Sequence, residues 1–486
     1  MTIQEMGPEE ATRSGRPTGD VPLSGPSLVR LIDREPDEWT VDDLLDIVET
    51  RKLKLVSLMH VGGDGCLKTL DFPVNDLIRL RQVLLFGERA DGSSLFPSLG
   101  RRSKGSDIIL RARPPTAFID PFSVCPTLVV LCGHSCPDGS ALPESPDTIL
   151  RRAYERVRIE TGIDLWALGE VEFFLGKRVE HCDFHGASDR GYQSTSPFVF
   201  GEGLRRQALA VLADLNIPAK YAHSEVGYIE TEEPDPYIWE QHEIELNLQP
   251  LPKAADAVLV TQWVVRNLAK QAGCDASFEP VVLEGHAGSG LHFHFSPVVK
   301  GAHQRHTNAD GALVDSAKWL IGGLVRCADA LMAFGNRAPS SFTRLAQAKE
   351  APSTVTWGHS DRKALVRLPI VAGDEQGQSV APETVEFRLP DASAHPHLLL
   401  AAIAQVMLAA RSFEDLNELL EMSSSQGQDA ARALRLPLER DGVILGLENH
   451  REFLEEAGVF PRHFISEAVD VLRGPCVGTS PAGGTR

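Results

Sequence analysis

Long apolar runs are absent from this chain: the longest, residues 127–132 and 398–406, fall far short of the roughly 20 residues a membrane-spanning helix requires, so no membrane partner is expected. Cationic charge is scarce as well. Lys and Arg number 48 against 67 Asp and Glu, a formal net charge of -19, which argues against the clustered basic face that nucleic acid needs. No basic stretch followed by an apolar one opens the sequence, so residues 1–27 lack the form of a signal peptide and a cytoplasmic location is expected. Of the eight cysteines, only Cys132 and Cys136, flanking His134, are close enough to suggest zinc, and an isolated C-x3-C is read as structural. Neither glycine cradle for phosphates, G-x-x-x-x-G-K-[ST] or G-x-G-x-x-G, follows an expected strand.

What is present is an ordinary globular composition, 42% hydrophobic and 24% charged over 486 residues, enough for more than one domain. Residues 1–36 are polar and poor in apolar groups that could offset the entropy of ordering them, and read as a disordered arm. Apolar residues at helical spacing predict a helix over 39–51, with Thr40 as N-cap. Short β-type segments follow at 55–61, 68–72, 108–113, 117–119 and 127–132, which places a small mixed-sheet domain over 37–140. After a Pro-, Ser- and Gly-rich boundary, residues 145–486 alternate short strands with longer helices, notably 254–272, 313–334 and 396–411, and read as an α+β catalytic domain.

Four strands carry polar groups at i and i+2 between apolar neighbours, a spacing that puts both groups on one sheet face. They pair Glu170 with Glu172, Glu243 with Glu245, His292 with His294, and Glu386 with Arg388. Taken singly, each is a solvated strand face. If the four meet in one cavity, their carboxylates require a divalent cation to hold them together, and a carboxylate-rich set with one or two imidazoles suits magnesium or manganese rather than zinc or copper. A second cluster, Arg344, Arg362, Arg367 and Arg388 with Glu350, supplies forks for phosphate or carboxylate. Together they suggest phosphoryl transfer.

In order and spacing, these motifs resemble the glutamine synthetase family, of type I, over about 53–473. Asp91-Gly92-Ser93-Ser94, Ala117-Phe118-Ile119-Asp120-Pro121-Phe122, Gly169-Glu170-Val171-Glu172-Phe173-Phe174, Gln241-His242-Glu243, Gly288-Ser289-Gly290-Leu291-His292-Phe293-His294, Glu350-Ala351-Pro352 and Glu386-Phe387-Arg388-Leu389-Pro390-Asp391 carry the likeness. The resemblance implies an N-terminal β-grasp domain, a catalytic domain with a curved antiparallel sheet and flanking helices, and a homo-oligomer, typically a dodecamer of stacked hexameric rings with active sites between neighbours. It implies that Glu172, Glu225 and Glu243 hold one metal and Glu170, His292 and Glu386 the other, two or more Mg2+ or Mn2+ per site. His294, Ser296, Arg362 and Arg367 would bind ATP, and Glu172, Gly288, His292, Arg344 and Arg388 would bind the acid substrate. Asp91 of an adjacent subunit, Glu350 and Arg362 would be catalytic. The implied reaction joins ammonia to glutamate through a γ-glutamyl phosphate. A γ-glutamyl-amine ligase and a noncatalytic homologue are the alternative readings.

The sequence departs from the family at Ala287, where an Asn is usual, at Thr384 in place of an ATP-contacting Arg, and at Lys220 in place of an acidic nucleotide contact. It also has an insertion including residues 230–236, and no tyrosine in a loop resembling the family's adenylylation site.

Overall fold

The computed structural model describes residues 27–96, 106–178, 186–231, 236–308, 310–375, 379–426 and 434–474. Most of the arm expected at the N-terminus lies outside them, but its last part is ordered. Leu28–Ile32 forms a short helix, α1, and Pro36–Glu38 a 3-10 turn. The correction has a plain cause: Leu28 is buried in the small core, and Val29, Leu31 and Ile32 pack against it, so four apolar residues in five offset the ordering cost.

Helix α2 (Val41–Thr50) begins at a reciprocal cap, in which Thr40 Oγ1 accepts from Asp43 N and Asp43 Oδ2 accepts from Thr40 N at 2.8 Å. Strands β1 (Leu55–Val61) and β2 (Leu67–Pro73) form a hairpin, followed by α3 (Leu77–Phe86), β3 (Glu88–Asp91), α4 (Gly92–Leu95), β4 (Asp107–Ala112), β5 (Phe118–Ile119) and β6 (Thr127–Ser135). The sheet order is β2-β1-β6-β4-β3, with β5 on β6, and β1 and β6 run parallel. This is the expected β-grasp arrangement, with α2 and α3 packed on the small core. His134 lies inside β6 rather than in a zinc loop. Its Nε2 is 3.0 Å from His60 Nδ1, its Nδ1 is 2.8 Å from Ser145 Oγ, and the buried Cys132 thiol lies near Val130 O.

Helix α5 (Pro146–Thr161) leads into the second sheet, built from β7 (Asp164–Arg178), β8 (Ala219–Thr231), β9 (Tyr237–Leu246), β10 (Gln249–Pro250), β11 (Asp275–Ser277), β12 (Leu291–Val299), β13 (Ala302–His303), β14 (Trp357–His359), β15 (Val366–Leu368) and β16 (Val385–Phe387). The main path is β14-β15-β16-β12-β7-β9-β8, antiparallel except for β14 with β15. Helices α6 (Glu202–Asp214), α7 (Leu251–Gln271), α8 (Asp315–Arg326), α9 (Ala328–Gly335), α10 (Pro339–Gln347), α11 (Pro396–Ala409), α12 (Leu416–Ser423), α13 (Arg440–Asn449), α14 (Arg451–Glu455) and α15 (Arg462–Arg473) complete it. Val171, Phe173, Ile244, Leu291, Phe293, Phe295 and Phe387 point away from the cavity into one apolar core with α7 and α11.

The helix expected over 313–334 is two helices. It breaks at Cys327 (φ -111°, ψ 20°), after which α9 runs on to α13, where Gly446 leaves no room for a Cβ beside the Asp329 carboxyl. No single helix among the described residues is long and apolar enough to cross a membrane. Helix α11, the most apolar, is buried over all fourteen residues and fills the core.

An ion-pair network ties the end of β4 to helices α7 and α11 of the larger domain. Arg113, just past β4, donates to Asp256 of α7 at 2.8 and 3.2 Å, and His397 of α11 lies 3.1 Å from the same carboxylate. Burial alone would raise the Asp256 pKa, but Arg113 and His397 outweigh it and hold the carboxyl far below its ordinary range.

Candidate active site

The strand register lays the polar residues out as one continuous face. Directly opposed across neighbouring strands are Arg367 and Glu386, Glu386 and His294, His292 and Glu170, Glu170 and Glu245, Glu172 and Glu243, and then Glu243 and His223. Opposed residues share a sheet face, so the i, i+2 spacing becomes a floor running from β15 to β8. This floor lines a cavity of about 600 Å³.

One corner gathers Glu170, His292 and Glu386, whose ligand atoms lie within 4.8 Å of one another. His292 Nδ1 is 2.8 Å from Glu170 Oε2, and His294 Nε2 is 2.9 Å from Glu170 Oε1. Burial works to raise Glu170, yet the two imidazoles prevail and hold its pKa well below the ordinary value. Glu386 is fully buried between Arg367 Nη1 at 2.9 Å and Arg388 Nη1 at 2.5 Å. Its pKa is also lowered, His294 and Arg388 overcoming burial.

A second corner gathers His223, Glu225 and Glu243 with the same spread of 4.8 Å. Here nothing cationic compensates. Burial first, then the charges of Glu172 and Glu350, push Glu225 up to about 8, while burial and the Glu170 and Glu172 carboxylates raise Glu243 well above the carboxylate range. The half-buried Glu225 and the buried Glu243, both raised by burial and then by neighbouring carboxylates, form an oxygen-rich donor set that a divalent cation would satisfy. Glu172 lies between the corners. Its Oε2 accepts from Gln241 Nε2 at 2.9 Å and Gly290 N at 2.8 Å, and its Oε1 is 3.8 Å from His292 Nδ1.

Glu225 owes its position to an irregularity in β8. Ser224 opposes His242 and Tyr228 opposes Glu240, so Glu225, Val226 and Gly227 face Gln241 alone. Gln241 fills the bulge: Oε1 accepts from Gly227 N at 3.0 Å while Nε2 ties Glu172 to Gly288 O. Gly227 is obligatory there, since a Cβ would sit 2.6 Å from both Gln241 Oε1 and Phe174 Cζ.

Gly288, Glu350, Arg362, Arg367 and Arg388 also line the cavity. Arg344 is buried behind them, donating to Leu389 O at 3.1 Å with Nη2 3.5 Å from His292 Nε2. Ser296 is fully buried and turned onto His303 Nδ1 at 2.9 Å, which leaves His303 on the cavity wall. Asp91 does not line its own chain's cavity. It caps α4, accepting from Ser93 N at 2.9 Å. The departures are visible too: Lys220 Nζ pairs with Glu245 Oε1 at 2.7 Å, Thr384 Oγ1 lies 2.9 Å from His294 Nδ1, and Ala287 is buried. Of the segment read as an insertion, residues 230–231 end β8 with Thr231 opposite Tyr237, and residues 232–235 lie outside the described ones. Sequence reading did not single out His223, although His223 and Glu225 repeat the i, i+2 pattern, nor Gln241 as a bridge.

Residues 143–473 match the model of the family "Glutamine synthetase, catalytic domain". The chain is 28% identical over 476 residues to a glutamine synthetase of Mycolicibacterium smegmatis, covering 90% of this chain and 95% of that protein. It is 29% identical over 475 residues to one of Neisseria gonorrhoeae, covering 88% and 94%. In fold it is similar to the glutamine synthetase of Plasmodium falciparum (TM-score 0.76, 19% identity, 90% of this chain and 95% of that one) and to a GmaS complex with ADP (TM-score 0.70, 19% identity, 88% and 94%).

An acidic, cation-ready cavity floored by an antiparallel sheet and walled by arginines, within a chain matched at this length, defines a carbon–nitrogen ligase. The chain belongs to the glutamine synthetase family, whose members use ATP and divalent metal.

Proposed function

We propose that the protein ligates ammonia to the side-chain carboxylate of L-glutamate at the expense of ATP, through a γ-glutamyl phosphate. The observation that carries this reading is the convergence of Glu170, His292 and Glu386 beside His223, Glu225 and Glu243 in one cavity with Arg362, Arg367 and Arg388. The two corners would hold Mg2+ or Mn2+, which supplies charge neutralisation for the transferring phosphoryl group. Arg362 and Arg367 would orient the ATP phosphates, with His294 beside them. Arg388 and the buried Arg344 would hold the acid, and Gly288 would let it approach the backbone. Glu350, on the cavity wall, would shield the acyl phosphate from water. Asp91, displayed away from its own cavity, would serve a neighbour's, which supports a ring oligomer such as a dodecamer of stacked hexamers. The six cysteines among the described residues are all free, which suits a reducing, ATP-containing cytoplasm.

A second reading, an organic amine as acceptor, is favoured by one feature of the wall beside Glu225. Tyr192 and Tyr221, both about half exposed, flank His223 at ring distances of 5.2 and 6.0 Å, an aromatic surface suited to a substituted ammonium. Phosphate release from Mg-ATP with glutamate, comparing ammonia with a panel of amines and identifying products by mass spectrometry, separates the readings. Glutamine supports the first and a γ-glutamyl-amine the second. No turnover with either metal and any pair would refute both.

A further inference from the structure

The second metal corner depends on one rung of the β8–β9 ladder, the Ser224–His242 pair that precedes the bulge. These residues alternate with cavity residues, so their side chains emerge on the back of the sheet: Ser224 sits between His223 and Glu225, and His242 between Gln241 and Glu243. Arg205 lies behind that rung. It stands in the first turn of α6, and its guanidinium is buried. Arg205 Nη1 donates to Ser224 Oγ at 2.8 Å and to His242 Nδ1 at 2.9 Å, which leaves the His242 proton on Nε2. Ser224 Oγ in turn donates to Ser194 O at 2.9 Å.

The helix that carries Arg205 is itself fixed to β9. The Glu240 carboxylate accepts from Phe200 N at 2.9 Å and Gly201 N at 3.0 Å at the start of α6, and Gly201 lies so close to His242 that a Cβ would come within 2.3 Å of Nε2. Glu202 is the nearest carboxylate to Arg205, at 3.8 Å, and it is engaged by Thr195 Oγ1 and Ser196 N. Arg205 is thus spent on two neutral groups that are each one residue away from carboxylates of the cavity. Burying a guanidinium is costly, and the surrounding charge recovers only part of that cost: the Arg205 pKa is lowered by burial.

We infer that Arg205 is a positioning residue for the His223, Glu225 and Glu243 corner. It cross-links β8 and β9 from behind at the last regular rung, so the bulge starts at a fixed place and presents Glu225 at ligand distance from Glu243. The Glu170, His292 and Glu386 corner is carried by β7, β12 and β16 and makes no contact with Arg205. Arg205 therefore acts on one corner only.

The inference rests on the two-corner reading of the proposed function, and Mn2+ binding tests both. The parent, E386Q, R205K and R205M are titrated with Mn2+ as the full chain, with free ion read by electron paramagnetic resonance and heat by calorimetry. The class that survives in E386Q identifies the β8–β9 corner. R205M should weaken that class about tenfold, in the range measured when residues supporting metal ligands are removed, and leave the other unchanged, with R205K intermediate. S224A, which deletes one hydroxyl only, should weaken the same class in the same direction and gives the result if R205M does not fold. Equal weakening of both classes, or unchanged affinity in R205M or, where that variant does not fold, in S224A, overturns the positioning role while leaving the corners standing. A parent that binds no Mn2+ overturns both.

Discussion

The buried pair His60–His134 should make stability fall steeply below neutral pH. The two rings touch at 3.0 Å in the N-terminal core, both nearly inaccessible, with Phe96 edge-on to His134 at 5.0 Å. Burial lowers His60 to about 4, the Lys68 charge adding to it, and burial with the neighbouring imidazole lowers His134 to about 3. Unfolded histidines titrate near 6.5. Between those values the unfolded chain binds protons that the folded chain refuses, so stability rises with pH through the window and is lost as pH falls below about 6.5. At about pH 5 each ring forfeits about 1.5 units at 1.36 kcal/mol per unit, about 2 kcal/mol, and the pair about 4 kcal/mol relative to about pH 8. Other groups titrate over the same range, so the comparison is with His134→Asn, whose amide can still meet Ser145. Urea unfolding read by circular dichroism and by tryptophan fluorescence, Trp39 being buried in the same core, should show the variant less stable at about pH 8. That deficit should shrink by about 2 kcal/mol at about pH 5. A deficit that stays constant or grows would refute the reasoning.

Glu243→Ala and Glu386→Ala should each abolish metal-dependent ATP turnover, and phosphate release at the parent rate in either would remove that residue from the metal set. Ala287→Asn should lower the KM for glutamate if glutamate is the acid, measured by initial rates with varied glutamate; an unchanged KM points to another acid. Gly290→Ala places a Cβ 2.6 Å from His292 Nε2 and 3.0 Å from Glu172 Oε1, so kcat should fall at least tenfold with the far-ultraviolet circular dichroism retained. Asp256→Asn leaves Arg113 with only the more distant Asp147 carboxylate, at 3.6 Å, and should cost about 3 kcal/mol in urea unfolding, a buried pair being expensive to break from one side.

Much of the site could be read before the structure, because strand alternation is a rigid rule: Glu170 with Glu172 and Glu243 with Glu245 had to share faces wherever their strands lay. What alternation cannot supply is register. That His292 opposes Glu170 and that Glu386 opposes both His294 and Arg367 follows from the pairing of β16, β12 and β7, set by contacts distant in sequence. Glu225 was picked out through the resemblance, although it shares the i, i+2 spacing with His223, and the bulge that follows it is announced by no local pattern. The helix over 313–334 was drawn unbroken because periodicity continues through Cys327, and α1 was missed because four apolar residues are too few to register as a period.

The bulge in β8 sets three residues against one, an excess of two. An even excess preserves parity: Tyr228 and Glu230 return to the faces they would have held in an uninterrupted strand, so Tyr228 remains buried on the back of the sheet. Loss of either Val226 or Gly227 alone would invert every side chain from Tyr228 to the hairpin tip, whereas residues added at the tip disturb nothing below it. This strand can therefore change length freely at its end and only in pairs at its middle, which separates the part of the hairpin open to variation from the part that carries Glu225.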